Sequence, residues 1–194
     1  MANPLAPPIV IAISPDAAGR MLSRVQGLAT QFSDMKPLGL AISKVLRASF
    51  AKNIDVGGRP AFVPLSPNTL ASKKLLGYPS TPLVRTGLLR NSLARRNSKG
   101  NVTYVTADGE VRVGTNIPYA RYMNDGTAPH LITAKAGKML AFTTAKGKVV
   151  VKSVRHPGTP PRPFLIVQAE DWVEIKRLMK LFAAGTLPAN AGDD

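Results

Sequence analysis

Two histidines, His130 and His156, supply all the imidazole chemistry open to this chain, and each stands beside a proline in a stretch without helical pattern. Neither has a second ligand at the spacing that sets two side chains on one helix face for a metal. Cysteine is absent, which excludes thiolate ligands, cysteine nucleophiles and disulfide frameworks together. Gly137-Lys138 and Gly147-Lys148 lack the upstream glycine and the following Ser or Thr of a phosphate-binding loop. No GxGxxG occurs, and no serine sits in a nucleophile elbow. Carboxylates are sparse where loops could build a site. Asp108 reads as a turn residue, Asp125 as a helix-end residue, and Glu170, Asp171 and Glu174 as a helix-start cluster. The expectation is a chain that is not an enzyme and needs no cofactor or metal.

What the residues do offer is electrostatic. The net charge is +15 over 194 residues, and the excess lies in two acid-free stretches. The first, 56–107, carries Arg59, Lys73, Lys74, Arg85, Arg90, Arg95, Arg96 and Lys99. The second, 126–169, carries Lys135, Lys138, Lys146, Lys148, Lys152, Arg155 and Arg162. Elsewhere bases and acids balance. Such a field attracts polyanions or an acidic protein surface. A solubilising face would account for it equally, and the charge count leaves both readings open. No helix-turn-helix, zinc-finger or RNP-like pattern is present, so sequence-specific nucleic-acid reading is not expected. Tyr119 and Tyr122, with Arg121 between them, could stack on bases, but packing of a short helix is the simpler reading.

The elements that must position these residues follow from periodicity. Ser14-Pro15-Asp16 reads as a cap and first turn, after which Met21, Leu22, Val25, Leu28, Ala29 and Phe32 recur at helical spacing as a core face. A break near 33–37 separates a second helix, with Leu38, Ile42, Val45, Leu46, Ser49 and Phe50 on one face and Lys44, Arg47 and Lys52 elsewhere. A Gly- and Pro-rich loop spans 57–82, holding a short helix opened by Ser66-Pro67. Thr86-Gly87 caps another short helix.

Asp108-Gly109 joins strands 102–106 and 111–114 in a tight primed turn, and a second hairpin pairs 139–144 with 149–154 across 145–148. Pro118 to Asn124 reads as a short helix. From Pro163 a last amphipathic helix places Phe164, Leu165, Trp172, Ile175, Met179 and Phe182 on one face. The class is α+β: amphipathic helices on a small antiparallel sheet of about four strands. One domain, 1–194, is expected, with 1–13 as an N-terminal extension or strand, 57–82 as an extended arm and 186–194 as a mobile tail. The apolar run from Ile9 to Ile13 is too short to span a bilayer and no secretory start precedes it, so a soluble cytoplasmic product is expected.

Five blocks occur in fixed order: residues 58–74 (GRPAFVPLSPNTLASKK), 83–92 (LVRTGLLRNS), 111–120 (VRVGTNIPYA) with Asp125-Gly126-Thr127, 139–142 (MLAF) and 156–165 (HPGTPPRPFL). The series resembles the virion-morphogenesis family, which includes tail-completion proteins of Mu-like and P2-like phages, and it covers roughly residues 35 to 182. Phe62-Val63 stands where such proteins often carry Trp, and Asp125 departs from a common His or Gln.

The resemblance implies a structural neck protein in the virion, made in the host cytoplasm, that completes the tail or joins it to the head. It implies assembly with itself as a homohexameric ring, contact with adjacent head–tail connector and tail-tube or tail-terminator proteins, possible non-specific contact with packaged DNA, and no membrane. The 57–82 loop would reach a neighbouring subunit, and the basic segments would face acidic rings or DNA. A non-specific nucleic-acid-binding protein is the rival reading.

Overall fold

The computed structural model describes residues 15–144 and 147–192. The expected N-terminal extension, the Ser14 cap, Lys146 and the last two residues lie outside the described residues. Six helices and six strands follow in order. Helix α1 spans Pro15–Phe32 and α2 spans Lys36–Asp55, with the expected break between them. The short helices are α3 (Pro67–Leu75), α4 (Leu88–Ala94) and α5 (Ala120–Asp125), and α6 spans Ala169–Ala183. The strands are β1 (Asn101–Val105), β2 (Val111–Thr115), β3 (His130–Thr133), β4 (Leu140–Thr144), β5 (Gly147–Val151) and β6 (Ser153–His156).

Helix α2 is the axis of the body. Its first turns enter a small core of Leu38, Ala41, Leu178 and Phe182. Its last turns enter the main core, where Phe50 and Ile54 meet Phe62, Leu89, Leu93, Ile117, Ala120 and Phe164. Burial of each such side chain is worth about 1.5–3 kcal/mol, so this cluster dominates the fold. Gly39 lies against the β1–β2 hairpin: a Cβ there would overlap Val105 Cγ1 and come within 3.1 Å of Val111 Cγ2. Glycine is therefore what lets helix and hairpin touch. The amide of Met35 donates to Ala107 O at 2.8 Å and ties the start of α2 to the hairpin turn.

The α+β class is borne out, with the strands arranged differently from the single sheet of four. They form three two-stranded antiparallel ribbons, β1–β2, β3–β6 and β4–β5. In the first, Gly109 N–H donates to Thr106 O and Thr106 N–H to Glu110 O. That is a three-residue loop with Gly109 at φ +93°, not a two-residue primed turn. The second expected hairpin is tighter than its sequence suggested, with Thr144 paired to Gly147. It continues outward from β3–β6, a pair with no strong alternation to announce it. Residues 134–139 bulge on one side of the join against Lys152 on the other, where Ala134 N–H donates to Lys152 O.

Two further expectations change. The last helix begins at Ala169 rather than Pro163, because 163–168 is held extended by side-chain bonds to its backbone. Asn124 Oδ1 accepts from the amides of Phe164 and Leu165, and Asn53 Nδ2 donates to the carbonyls of Phe164 and Ile166. Of the expected apolar face, Phe164, Ile175 and Phe182 are buried, whereas Leu165, Trp172 and Met179 are exposed.

The stripe on α1 does not enter the core. Met21, Leu22 and Val25 are 66%, 63% and 54% exposed, and only Phe32 makes an aromatic contact, edge-on to Phe182 at 5.5 Å. Among the described residues, nothing buries the Met21, Leu22 and Val25 part of that face. Arg47, placed away from the apolar face of α2 by periodicity, is buried and donates to Ala94 O. Gly87, not Thr86, caps α4. Ser66 caps α3 as expected, accepting from Thr69 N–H. Residues 186–192 lie back on α2, with Leu187 and Ala191 against the small core.

Candidate interaction surfaces

The fourteen candidate cations that lie among the described residues divide by what the fold does with them. Arg59 is drawn inward: Nε donates to Asn53 Oδ1 at 2.7 Å, Nη2 to the carbonyl and hydroxyl of Ser49, and Nη1 pairs with Glu170. Ser49 in turn donates to Asp171 Oδ2, which also accepts from Gln168 N–H at the start of α6. This buried chain links α2, the first sequence block and α6. Helical periodicity puts Ser49 on the inward face of α2 but does not announce the chain, because Asn53, Ser49 and Asp171 are ordinary polar residues until the tertiary fold brings them together.

Arg162 is likewise structural. Its guanidinium donates to Val63 O and Pro64 O, and burial pulls its pKa below the usual arginine value. Lys73 donates to Thr81 O and Val84 O, closing the 57–82 loop on itself, and burial lowers its pKa too. Arg90 pairs with Asp55 at 2.8 Å, and that hydrogen bond raises its pKa against a smaller opposing effect of burial. Arg85 stacks over Tyr78 with 4.8 Å to the ring centre.

The remaining cations are exposed and have no acidic partner among the described residues. Lys74 ends α3. Arg95, Arg96 and Lys99 crowd the turn after α4, and Lys135, Lys138, Lys148, Lys152 and Arg155 run along the β3–β6 and β4–β5 ribbons. With no acid from 126 to 169, those ribbons form a positive surface of the kind that holds phosphates or carboxylates. Tyr119 and Tyr122 are 42% and 57% exposed rather than packed.

His130 and His156, separated in sequence, face each other as a cross-strand pair with ring centres 5.1 Å apart. His130 Nδ1 lies 2.9 Å from Ala128 O, so that nitrogen carries its proton. His156 Nδ1 accepts from Gly158 N–H, which leaves the proton on Nε2. Among the described residues, no group of three or more His, Asp or Glu side chains is placed to hold a metal ion.

An apolar groove of about 1410 Å³ opens between α3 with its flanking loop and the β4–β5 ribbon. Leu76, Leu83, Met123, Leu140 and Phe142 line it, and Leu76 and Phe142 are 50% and 38% exposed. The 57–82 loop thus forms one wall of an open groove. No helix among the described residues is long and apolar enough to cross a membrane.

The first, third and last sequence blocks converge in space. Thr127 bridges Thr159, Arg162 N–H donates to Met123 O, and the Arg162 side chain reaches Val63 and Pro64. A Cβ on Gly126 would collide with Thr159 O at 2.6 Å, which explains the glycine of that block. No family model and no solved structure matches the chain. The Mu-like prophage FluMu G protein 2 of Haemophilus influenzae is 30% identical over 166 residues, covering 86% of this chain and 91% of that protein. The chain therefore belongs to the Mu-like phage family of FluMu G protein 2, as its resemblance to the virion-morphogenesis proteins implies.

Proposed function

We propose that this chain is a non-catalytic structural protein of the phage neck that completes the tail or joins it to the head, assembled as a ring around the DNA channel. Membership of a Mu-like phage family over most of both chains carries the reading. The way the polar groups are used supports it. Arg59, Arg162, Asn53 and Asp171 are consumed in holding segments together, while the cations left over gather on surfaces. An uncovered helix face and an open groove add surfaces suited to assembly. A ring of six, the usual tail symmetry, needs one heterologous contact repeated with closing rotation.

Electron microscopy of particles from a phage lacking the protein tests this. Separate full heads and finished tails are expected; normally joined virions would overturn it. The acid-free ribbons favour one second reading, non-specific nucleic-acid binding. Tight DNA binding at physiological salt, with a steep salt slope, would favour that alternative.

A further inference from the structure

We propose that the apolar face of α1 in one copy docks into the groove between α3 and the β4–β5 ribbon of a neighbouring copy. The inference rests on the ring reading and names the contact that would build it.

Helix α1 is divided cleanly. Met21, Val25, Leu28 and Phe32 follow a four-three-four spacing with Leu22 beside them, while Arg20, Ser23, Arg24, Gln26, Thr30 and Gln31 take the other side. The five large apolar residues leave roughly 450 Å² open, a patch of the size that marks an interaction site and over half of the ~800 Å² each partner gives to a stable interface. Gly19 and Gly27 make this a poor helix on its own, each costing about 1 kcal/mol relative to alanine. A helix of this composition draws its stability from covering its apolar face.

The copy cannot cover that face with its own groove in this arrangement. Phe32 is anchored on Phe182, beside the core at the start of α2, and only residues 33–35 separate the helices. Leu83, Val84, Leu88 and Met123 of the groove pack on the main core at the far end of α2. Leu38 and Ile54, which mark the two ends, are about 24 Å apart along the helix.

A second copy is the occupant that leaves neither surface open. A patch and a groove at different places on one chain make a head-to-tail contact, and each copy then fills one neighbour and is filled by another. Pairing α1 with α1 would cover the stripe and leave the groove bare. The groove accepts hydrocarbon because Lys73 and Arg85 in its wall are engaged with carbonyls and Tyr78, and Arg155, the third cation lining it, is exposed and can turn its charged end to solvent. A bilayer is the poorer fit: interfacial helices carry a Lys- and Arg-rich polar face, and that of α1 is mostly Ser, Gln and Thr.

The test uses the full chain with Val25→Glu on the helix and Phe142→Glu in the groove, both exposed in the single copy, with circular dichroism and thermal melting to verify the fold. In analytical ultracentrifugation the unsubstituted chain is expected to assemble, more so at high salt, because copies of net charge +15 repel. Each variant alone is expected to be monomeric. Their equimolar mixture holds one intact helix and one intact groove, so it should give a 1:1 dimer and nothing larger.

Assembly of Phe142→Glu like the unsubstituted chain overturns the docking and indicates α1–α1 pairing. Assembly that survives both substitutions overturns the docking and leaves the ring standing. An unsubstituted chain monomeric at every salt overturns the docking as well, including where it binds anionic vesicles through α1. Joined heads and tails in the deletion phage overturn the ring reading itself, whatever the purified chain does.

Discussion

Arg59 Nε donates to Asn53 Oδ1 at 2.7 Å, and through that bond the first sequence block is fastened to the central helix. The same asparagine donates from Nδ2 to the carbonyls of Phe164 and Ile166, so it holds the last block as well. Two segments about a hundred residues apart therefore share one fully buried amide. The first and last blocks, far apart in sequence, are thus parts of one junction.

Asn53→Ala is expected to destabilise the chain by about 3 kcal/mol, since it leaves two carbonyls and a guanidinium N–H without their partner in a buried place. A urea titration followed by tryptophan fluorescence would read this as a lower midpoint with unchanged slope. A loss under about 0.5 kcal/mol would show that water replaces the amide without cost.

Gly39→Ala puts two effects in opposition. Alanine gains about 1 kcal/mol in helix propensity, but its Cβ would press on Val105, and overpacking of this kind costs about 1–3 kcal/mol. A net fall in melting temperature is expected. Gly27→Ala is the control, because a Cβ there meets nothing within 4 Å. It should leave that melting unchanged and raise the helical circular dichroism signal.

Much of this was legible in the sequence, and what was not has a common cause. Ser66-Pro67, the break expected near 33–37 and the reversal at Asp108-Gly109 are local signals, and local geometry satisfies them, the reversal as a three-residue loop in place of the primed turn. Pro163 is a permissible first-turn residue and so reads as the start of α6, while Asn124 and Asn53, distant in sequence, keep 163–168 extended and delay the helix to Ala169. Periodicity showed that α1 has an apolar face without showing what covers it. Among the cations, charge counting found the two stretches but could not separate Arg59 and Arg162, which serve the fold, from Lys135 and Lys148, which face solvent.

The pair Glu174–Arg177 sets one acid-side dependence. Its hydrogen bond holds the Glu174 carboxyl below its ordinary value of 4.5, ahead of a small opposing effect of burial. The contribution is thus fully present above the unfolded value and is lost as pH falls through the lower folded one. Glu174→Gln should flatten the stability profile in that acidic window only, and slightly, because the pair is exposed. Thermal melts across the acid range check this, and an equal shift at neutral and acidic pH would contradict it.

The ribbon cations and the structural arginines should separate in a DNA-binding titration. Replacing Lys135, Lys138, Lys148 and Lys152 together by Gln removes exposed charge from a surface without acids and breaks no side-chain bond described in the fold. If these four meet phosphates, each releases a counterion on binding, and the slope of log K against log salt should fall by about 3 to 4. Melting temperature should stay nearly constant. Arg162→Gln is expected to do the reverse, lowering stability by about 3 kcal/mol because the carbonyls of Val63 and Pro64 lose a buried charged donor, with little change in slope. An unchanged slope in the fourfold variant would move the polyanion-facing role to Arg95, Arg96 and Lys99, or leave the ribbons to an acidic protein neighbour.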